Sequence, residues 1–204
     1  MKIVGKGIHK IDGMAIATGK PVYTDDLAAK DALVVKILRS PHAYAKIKNI
    51  DTSRALKIDG VECVLTYKDV PNNRFTLAGQ SYPEPSPYDR LILEDTVRYI
   101  GDEVAIVAAI DEKTAVKAMK MIKVEYEVLK PVIDMEKAID NEVVVHDEDV
   151  HCHFDIGMER TRNIVAKHLY EKGNIEEELE KCDLVVEETY YTQAQAHAMM
   201  ETYR

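Results

Sequence analysis

Between Gly101 and Pro131 the hydrophobic period of the chain changes twice. Val104–Ile110 is a continuous apolar run, the pattern of a strand covered on both faces. Asp111 follows as a helix-capping residue type, and Ala115, Ala118, Met119 and Ile122 then recur at the spacing that lines one helical face. Val124, Tyr126 and Val128 next alternate with Lys123, Glu125 and Glu127, a half-wet strand that ends before Pro131. A strand, a helix and a strand joined this tightly confine the chain to a mixed α/β, α+β fold.

The flanks extend the same pattern. Residues 32–39 form a β-branched apolar run that reads as a buried strand, and 44–50 alternates, with Ala45 and Ile47 opposite Lys46 and Lys48. Asp51-Thr52-Ser53 offers caps for a short turn through Leu56, Gly60 resets the chain, and Val61–Thr66 is a further strand. Residues 71–90 carry Pro71, Pro83, Pro85 and Pro87 with Asn72, Asn73 and Gly79, which excludes a regular element and predicts a long surface loop. Ile133–Ile139 suggests a short helix and Val143–Val145 a closing strand. Residues 147–162 are acidic, contain histidine and lack periodicity, as a domain linker would. Beyond them, Ile175, Leu179 and Cys182 share a helical face, and Leu184–Gln193 alternates as a strand. One strand and one short helix cannot bury a core, so a truncated second domain is expected there.

The charge balance removes several functions. With a formal net charge of -9 and no Lys/Arg-rich run, no basic face exists to neutralise nucleic-acid phosphates. No apolar run approaches the roughly 20 residues of a membrane helix, and the polar, Gly-containing start cannot form a signal peptide. Cys63, Cys152 and Cys182 are odd in number and widely spaced, which suits a reducing compartment, the cytoplasm. Gly5-Lys6-Gly7 begins like a dinucleotide fingerprint but is followed by Lys10 and preceded by no strand. Walker A, His-Glu-x-x-His and Gly-x-Ser-x-Gly motifs are all missing from the sequence.

Two clusters remain. His151, Cys152 and His153, beside Asp147, Glu148 and Asp149, have metal-ligand chemistry but lack a second, separated ligand pair, so they read as adventitious metal candidates in a solvated linker. Gln195, His197 and Glu201 place three polar side chains within one short stretch. His42 beside Pro41 reads as a packing histidine, and Met119 with Met121 as core filler.

A series of segments then resembles one family. Gly7-Ile8-His9-Lys10-Ile11-Asp12-Gly13, Thr18 through Leu27, Arg39-Ser40-Pro41-His42-Ala43-Tyr44-Ala45 and Ile50-Asp51-Thr52-Ser53 come first. Gly60-Val61, Asp69-Val70-Pro71, Arg98 through Ala105, Val124-Glu125-Tyr126-Glu127 and Gln195 through Glu201 follow in order. Together they are similar to the large, molybdenum-binding subunit of the xanthine dehydrogenase and aldehyde oxidase family. Tyr44 stands where that family often has a second histidine, and Glu103 where it often has proline.

The resemblance implies an α/β hammerhead domain over residues 1–150, a linker over 151–162 and the beginning of a molybdenum-cofactor-binding domain over 163–204. It implies a parent enzyme that hydroxylates a purine or other N-heterocycle, or alternatively an aldehyde, using oxygen from water and a glutamate as general base. Cofactors would be molybdopterin-molybdenum in the parent, with 2Fe-2S clusters and FAD on an iron–sulfur subunit and an FAD subunit. The chain begins directly at the hammerhead segment, which in this family goes with separate subunits and an oligomeric parent. The family's catalytic glutamate and Gly-rich cofactor loops match nothing in this chain. No catalytic residue is therefore expected in it, and Gln195, His197 and Glu201 are at most supporting residues around the cofactor. The alternative is a standalone hammerhead module that binds or scaffolds. The 71–90 loop is a candidate contact surface for partner subunits.

Overall fold

The computed structural model describes residues 4–21, 23–27, 29–77 and 83–195. The chain divides into two compact units, Leu33–Glu176 and the pair of segments Met1–Ala32 and Glu177–Arg204. No helix among the described residues is long and apolar enough to cross a membrane.

The Leu33–Glu176 unit is built on two three-stranded antiparallel sheets. The first, ordered β1-β5-β3, contains β1 (Val34–Arg39), β3 (Val61–Leu65) and β5 (Glu103–Ala109). The second, ordered β4-β2-β6, contains β2 (Ala45–Asp51), β4 (Thr96–Val97) and β6 (Lys123–Val128). Between β5 and β6 runs the helix α2 (Glu112–Met119), so strand, helix and strand succeed one another where the period changes.

The central strand explains the uninterrupted apolar run. Ala105, Val107 and Ala109 of β5 pack toward Ala115 and Ala118 of α2 and toward Ile122, while Val104 packs with Ala45, Ile47 and Val97 of the second sheet. A strand with neighbours on both edges and both faces has no polar face to maintain. Ile110 leaves the ladder: it is exposed, and its N–H donates to the carbonyl of Gly60 at 2.9 Å. Gly60 turns with φ +86, and a Cβ there would lie 2.7 Å from Ile110 Cδ1. Both the left-handed backbone and the close approach therefore call for glycine. Asp111 caps α2 as its residue type predicts, accepting from the Thr114 N–H at 2.7 Å.

Several expectations need correction. Residues 32–39 do not form a buried strand: β1 is an edge with a single partner, and Val35 points to solvent, 54% exposed. Val143–Val145 is no strand, because the side chain of Asn163 takes the place of a neighbouring ladder. Its Nδ2 donates to the Val143 carbonyl (2.8 Å) and its Oδ1 accepts from Val145 N–H (2.9 Å). Ile133–Ile139 makes turns instead of a helix, closing at Asp140 with φ 56, a backbone no helix tolerates. Leu184–Gln193 has no ladder among the described residues, and Leu184, Val186 and Tyr190 stay exposed. Alternation supplies a face, but a strand needs a neighbour to take its backbone groups.

The other unit carries α1 (Gly13–Ala17) and a single 3-10 turn at Thr24–Leu27. No side-chain cap announces α1, since Asp12 makes none, and it buries no residue. The last helix, α3 (Ile175–Glu180), forms where Ile175 and Leu179 predict one but also buries nothing.

Candidate functional site

The densest polar arrangement among the described residues surrounds Arg98. The backbone bond from Ile47 N–H to the Asp95 carbonyl (2.6 Å) and the short β4 fix residues 95–97 to β2. The next side chain enters the protein. Arg98 reaches Glu94 through Nη1, Glu148 Oε2 through Nη2 at 3.0 Å, and the Val145 carbonyl through Nε at 3.1 Å. Arg74 closes the same group, 3.0 Å from Glu94 Oε1 and 3.4 Å from Glu148 Oε1, and His146 Nδ1 lies 2.7 Å from that same Glu148 oxygen. The side chains of Arg98, Glu94 and Glu148 are only 12%, 14% and 19% exposed. Two guanidinium groups against two carboxylates neutralise the cluster.

The protonation states follow from these contacts. Burial alone would lower Arg98, but Glu94 and Glu148 hold it above its ordinary value. Burial likewise pushes Glu148 up, yet the bonds from His146 and the charge of Arg98 leave it below the usual carboxylate range. Fixed charges of this kind are a clamp, not a proton shuttle.

A second group lies where β5 begins. Glu103, the residue at the family's frequent proline position, accepts from Arg39 Nη1 (2.8 Å), Arg90 Nη2 (2.9 Å) and Tyr99 Oη (3.1 Å). Burial raises Glu103, and the Arg39 and Tyr99 bonds more than offset it, so it stays ionised. Burial raises Asp102, although it accepts the Arg98 and Glu103 backbone N–H groups. Arg90 also ties the Pro-rich loop back on itself through paired backbone bonds with Phe75.

The residues singled out in the sequence are not gathered into one site. His151 Nε2 and His153 Nδ1 lie 2.9 Å apart on the surface beside the Tyr88 ring, and Cys152 is half-buried. Among the described residues no group of three or more His, Cys, Asp or Glu side chains is arranged to hold a metal ion. Gln195 is exposed, and His197 and Glu201 lie outside the described residues. His42 packs edge-on against Tyr126, 4.9 Å between centroids, as a packing histidine should. Met119 packs against the core, whereas Met121 is exposed and fills nothing. Glu148 does not behave as a solvated linker acid. Residues 151–164 are likewise bonded into this unit, through Tyr88 N–H to the His151 carbonyl (2.8 Å), Arg160 to the His146 carbonyl (3.0 Å) and Asn163.

Below this seam is a cavity of about 270 Å³ whose aliphatic wall of Val132, Val145, Val150, Met158, Ile164 and Val165 is joined by Asp89, His146, Arg160 and Asn163. A pterin carrying a phosphate needs convergent free donors and acceptors, but Asn163 is engaged with the backbone of Val143 and Val145, Arg160 with the His146 carbonyl and His146 with Glu148, and Gln195 stands in solvent. This cavity therefore does not fit a molybdenum cofactor.

Comparison with known proteins gives consistent matches. The family "Aldehyde oxidase and xanthine dehydrogenase, a/b hammerhead domain" matches residues 18–130, and "Molybdopterin cofactor-binding domain" matches residues 156–204. The "Probable hypoxanthine oxidase XdhD" of Escherichia coli (strain K12) is 38% identical over 221 aligned positions, covering 96% of this chain and 23% of that protein. A probable xanthine dehydrogenase subunit of Bacillus subtilis (strain 168) is 36% identical over 193 positions, covering 94% and 23%. The solved structure of quinoline 2-oxidoreductase from Pseudomonas putida 86 aligns with a TM-score of 0.61 at 31% identity, over 70% of this chain and 18% of that one. The chain thus spans about a quarter of the length of these curated relatives.

Proposed function

The chain belongs to the aldehyde oxidase and xanthine dehydrogenase family, and from that premise we propose that it is the hammerhead region and leading cofactor-domain segment of a molybdenum hydroxylase subunit, with no catalysis of its own. The carrying observation is order: a hammerhead match over 18–130 is followed directly by a cofactor-domain match from 156. The passage near residues 151–162 is then the junction between them, with the hammerhead over 1–150 and the cofactor domain from 163.

The parent reaction is hydroxylation of a ring carbon next to nitrogen, with oxygen taken from water and two electrons passed on. Solved relatives at about 31% identity carry quinoline or aldehyde in their names, whereas the more similar curated relatives, at 38% and 36% identity, carry hypoxanthine and xanthine, which favours an N-heterocycle over an aldehyde. Molybdopterin-molybdenum would supply the redox centre, held by parts of the parent other than the residues described above. Iron–sulfur and FAD subunits would take the electrons, in keeping with a relative named as one subunit of a xanthine dehydrogenase. The three free cysteines suit a cytoplasmic enzyme.

Within the parent the Leu33–Glu176 unit acts as a supporting element. The Arg98 clamp holds the Pro-rich loop against the 145–148 segment, and that loop is our candidate contact for a partner subunit. The test is a dye-reduction assay of the whole purified complex with hypoxanthine, xanthine and an aromatic aldehyde, beside the 204-residue chain alone. Turnover of an N-heterocycle by the complex and none by the chain is expected. Aldehyde turnover alone would overturn the substrate class, and turnover by the isolated chain would overturn the component reading.

A further inference from the structure

We infer that His151 and His153 form a two-nitrogen cis chelate for a divalent ion of the nickel or copper class. The two residues are separated by one position, and both of their rings lie beside the Tyr88 ring while Cys152 is half-buried. Their facing nitrogens, Nε2 of His151 and Nδ1 of His153, are 2.9 Å apart. Two imidazole nitrogens each about 2.05 Å from one ion lie about 2.9 Å apart at a right angle and about 3.3 Å apart at the tetrahedral angle. The observed spacing is the right-angled one.

The rings themselves agree. Their centroids are 4.7 Å apart with planes at 81°. A straight N–H···N bond would hold the centroids roughly 5.2 Å apart, so the two nitrogen axes are not collinear. One ion bound by both nitrogens would replace the shared proton at a spacing the rings already hold.

The surroundings keep the pair in place and leave it open. The His151 carbonyl accepts from Tyr88 N–H at 2.8 Å, which fixes the backbone from the Pro-rich loop. The Tyr88 ring lies beside both imidazoles, 5.1 Å from His153 and 5.9 Å from His151. Both histidines are otherwise exposed, so solvent can complete the coordination sphere. Octahedral and square-planar ions accept right-angled nitrogen pairs, whereas zinc prefers the tetrahedral angle and would have to spread this one by about 0.4 Å. The site therefore favours nickel or copper over zinc.

The test is calorimetric titration of the full chain with Ni²⁺ and with Zn²⁺, together with electron paramagnetic resonance of the Cu²⁺-loaded chain. One equivalent of nickel is expected to bind more tightly than zinc, and the copper spectrum should show coupling to two nitrogens. His151→Gln and His153→Gln should each weaken nickel binding at least about tenfold, while His168→Gln, at an exposed histidine elsewhere in the chain, should leave it unchanged. Circular dichroism of each variant checks that the fold is intact. Zinc binding as tightly as nickel, several equivalents insensitive to either substitution, or no binding at all would each overturn the site.

Discussion

Within the Leu33–Glu176 unit, the strand-and-helix body and the irregular half cohere by different physics. In the body, Val97, Val104 and Val107 are fully buried, and small residues such as Ala115 and Ala118 let α2 sit close on the first sheet. In the irregular half, the segments around residues 74, 90, 98, 148 and 160 are joined by guanidinium groups to carboxylates and carbonyls. Apolar burial is non-directional and tolerant, so the body can be read from periodicity. Ionic joints are directional and lie between residues distant in sequence, and removing one partner strands the other in a poorly solvated place. Long loops without a ladder need such joints, since their backbones are otherwise left to water.

The difference can be broken most sharply at Arg98. Arg98→Ala should cost about 3 kcal/mol of unfolding free energy, because Glu94 and Glu148 lose the more deeply buried of the two cations they share. Arg98→Met should cost clearly less if its carboxylates and their second cation are removed too, as Arg74→Met/Glu94→Gln/Glu148→Gln, since no guanidinium or carboxylate of the cluster is then stranded. Urea midpoints of the single and the quadruple variant against the unchanged chain decide this, and equal losses in both would mean that packing, not charge, holds the seam. In the body, Val107→Ala should cost about 2 kcal/mol for lost burial and the residual cavity, with no dependence on salt. A salt-dependent loss there would erase the contrast.

Acid should find the seam before the body. Glu148 and Glu103 have depressed values in the folded state. Their contribution is therefore complete above the ordinary glutamate range, about pH 4.3, and is lost as pH falls through the depressed values. Asp102 is raised by burial and works the other way, its cost being relieved as it protonates. Thermal midpoints measured between neutral and acidic pH should fall, Glu148→Gln should flatten that fall, and Asp102→Asn should steepen it. An unchanged profile in Glu148→Gln would remove the carboxylate from the account. The smallest expected effect is at Asp111→Ala, where the lost α2 cap should lower the urea midpoint less than Val107→Ala does.

Legibility followed the same divide. The α2 cap, the two-faced strand β5 and the alternation of β2 and β6 were visible because each is written in residues close in sequence. The clamp was not. Glu94 and Arg98 are four apart, but no helix connects them, and nothing local marks Glu148 as their partner fifty residues on. The acids at 147–149 look alike in the sequence, and only the fold turns Glu148 inward. The two segments Val104–Ile110 and Leu184–Gln193 carry comparable strand signals, yet one has neighbours on both edges and the other has none among the described residues.

By itself the sequence determined the mixed α/β class, the strand–helix–strand centre, the Pro-rich loop and the family, because periodicity, capping and ordered segments are properties of neighbouring residues. Tertiary structure alone decided that β1 is an edge, that Asn163 stands in for a strand beside residues 143–145, that Arg98 joins Glu94 to Glu148, and that two histidines face each other at 2.9 Å. Those outcomes depend on which distant groups meet, and a chain carries no local record of its long-range partners.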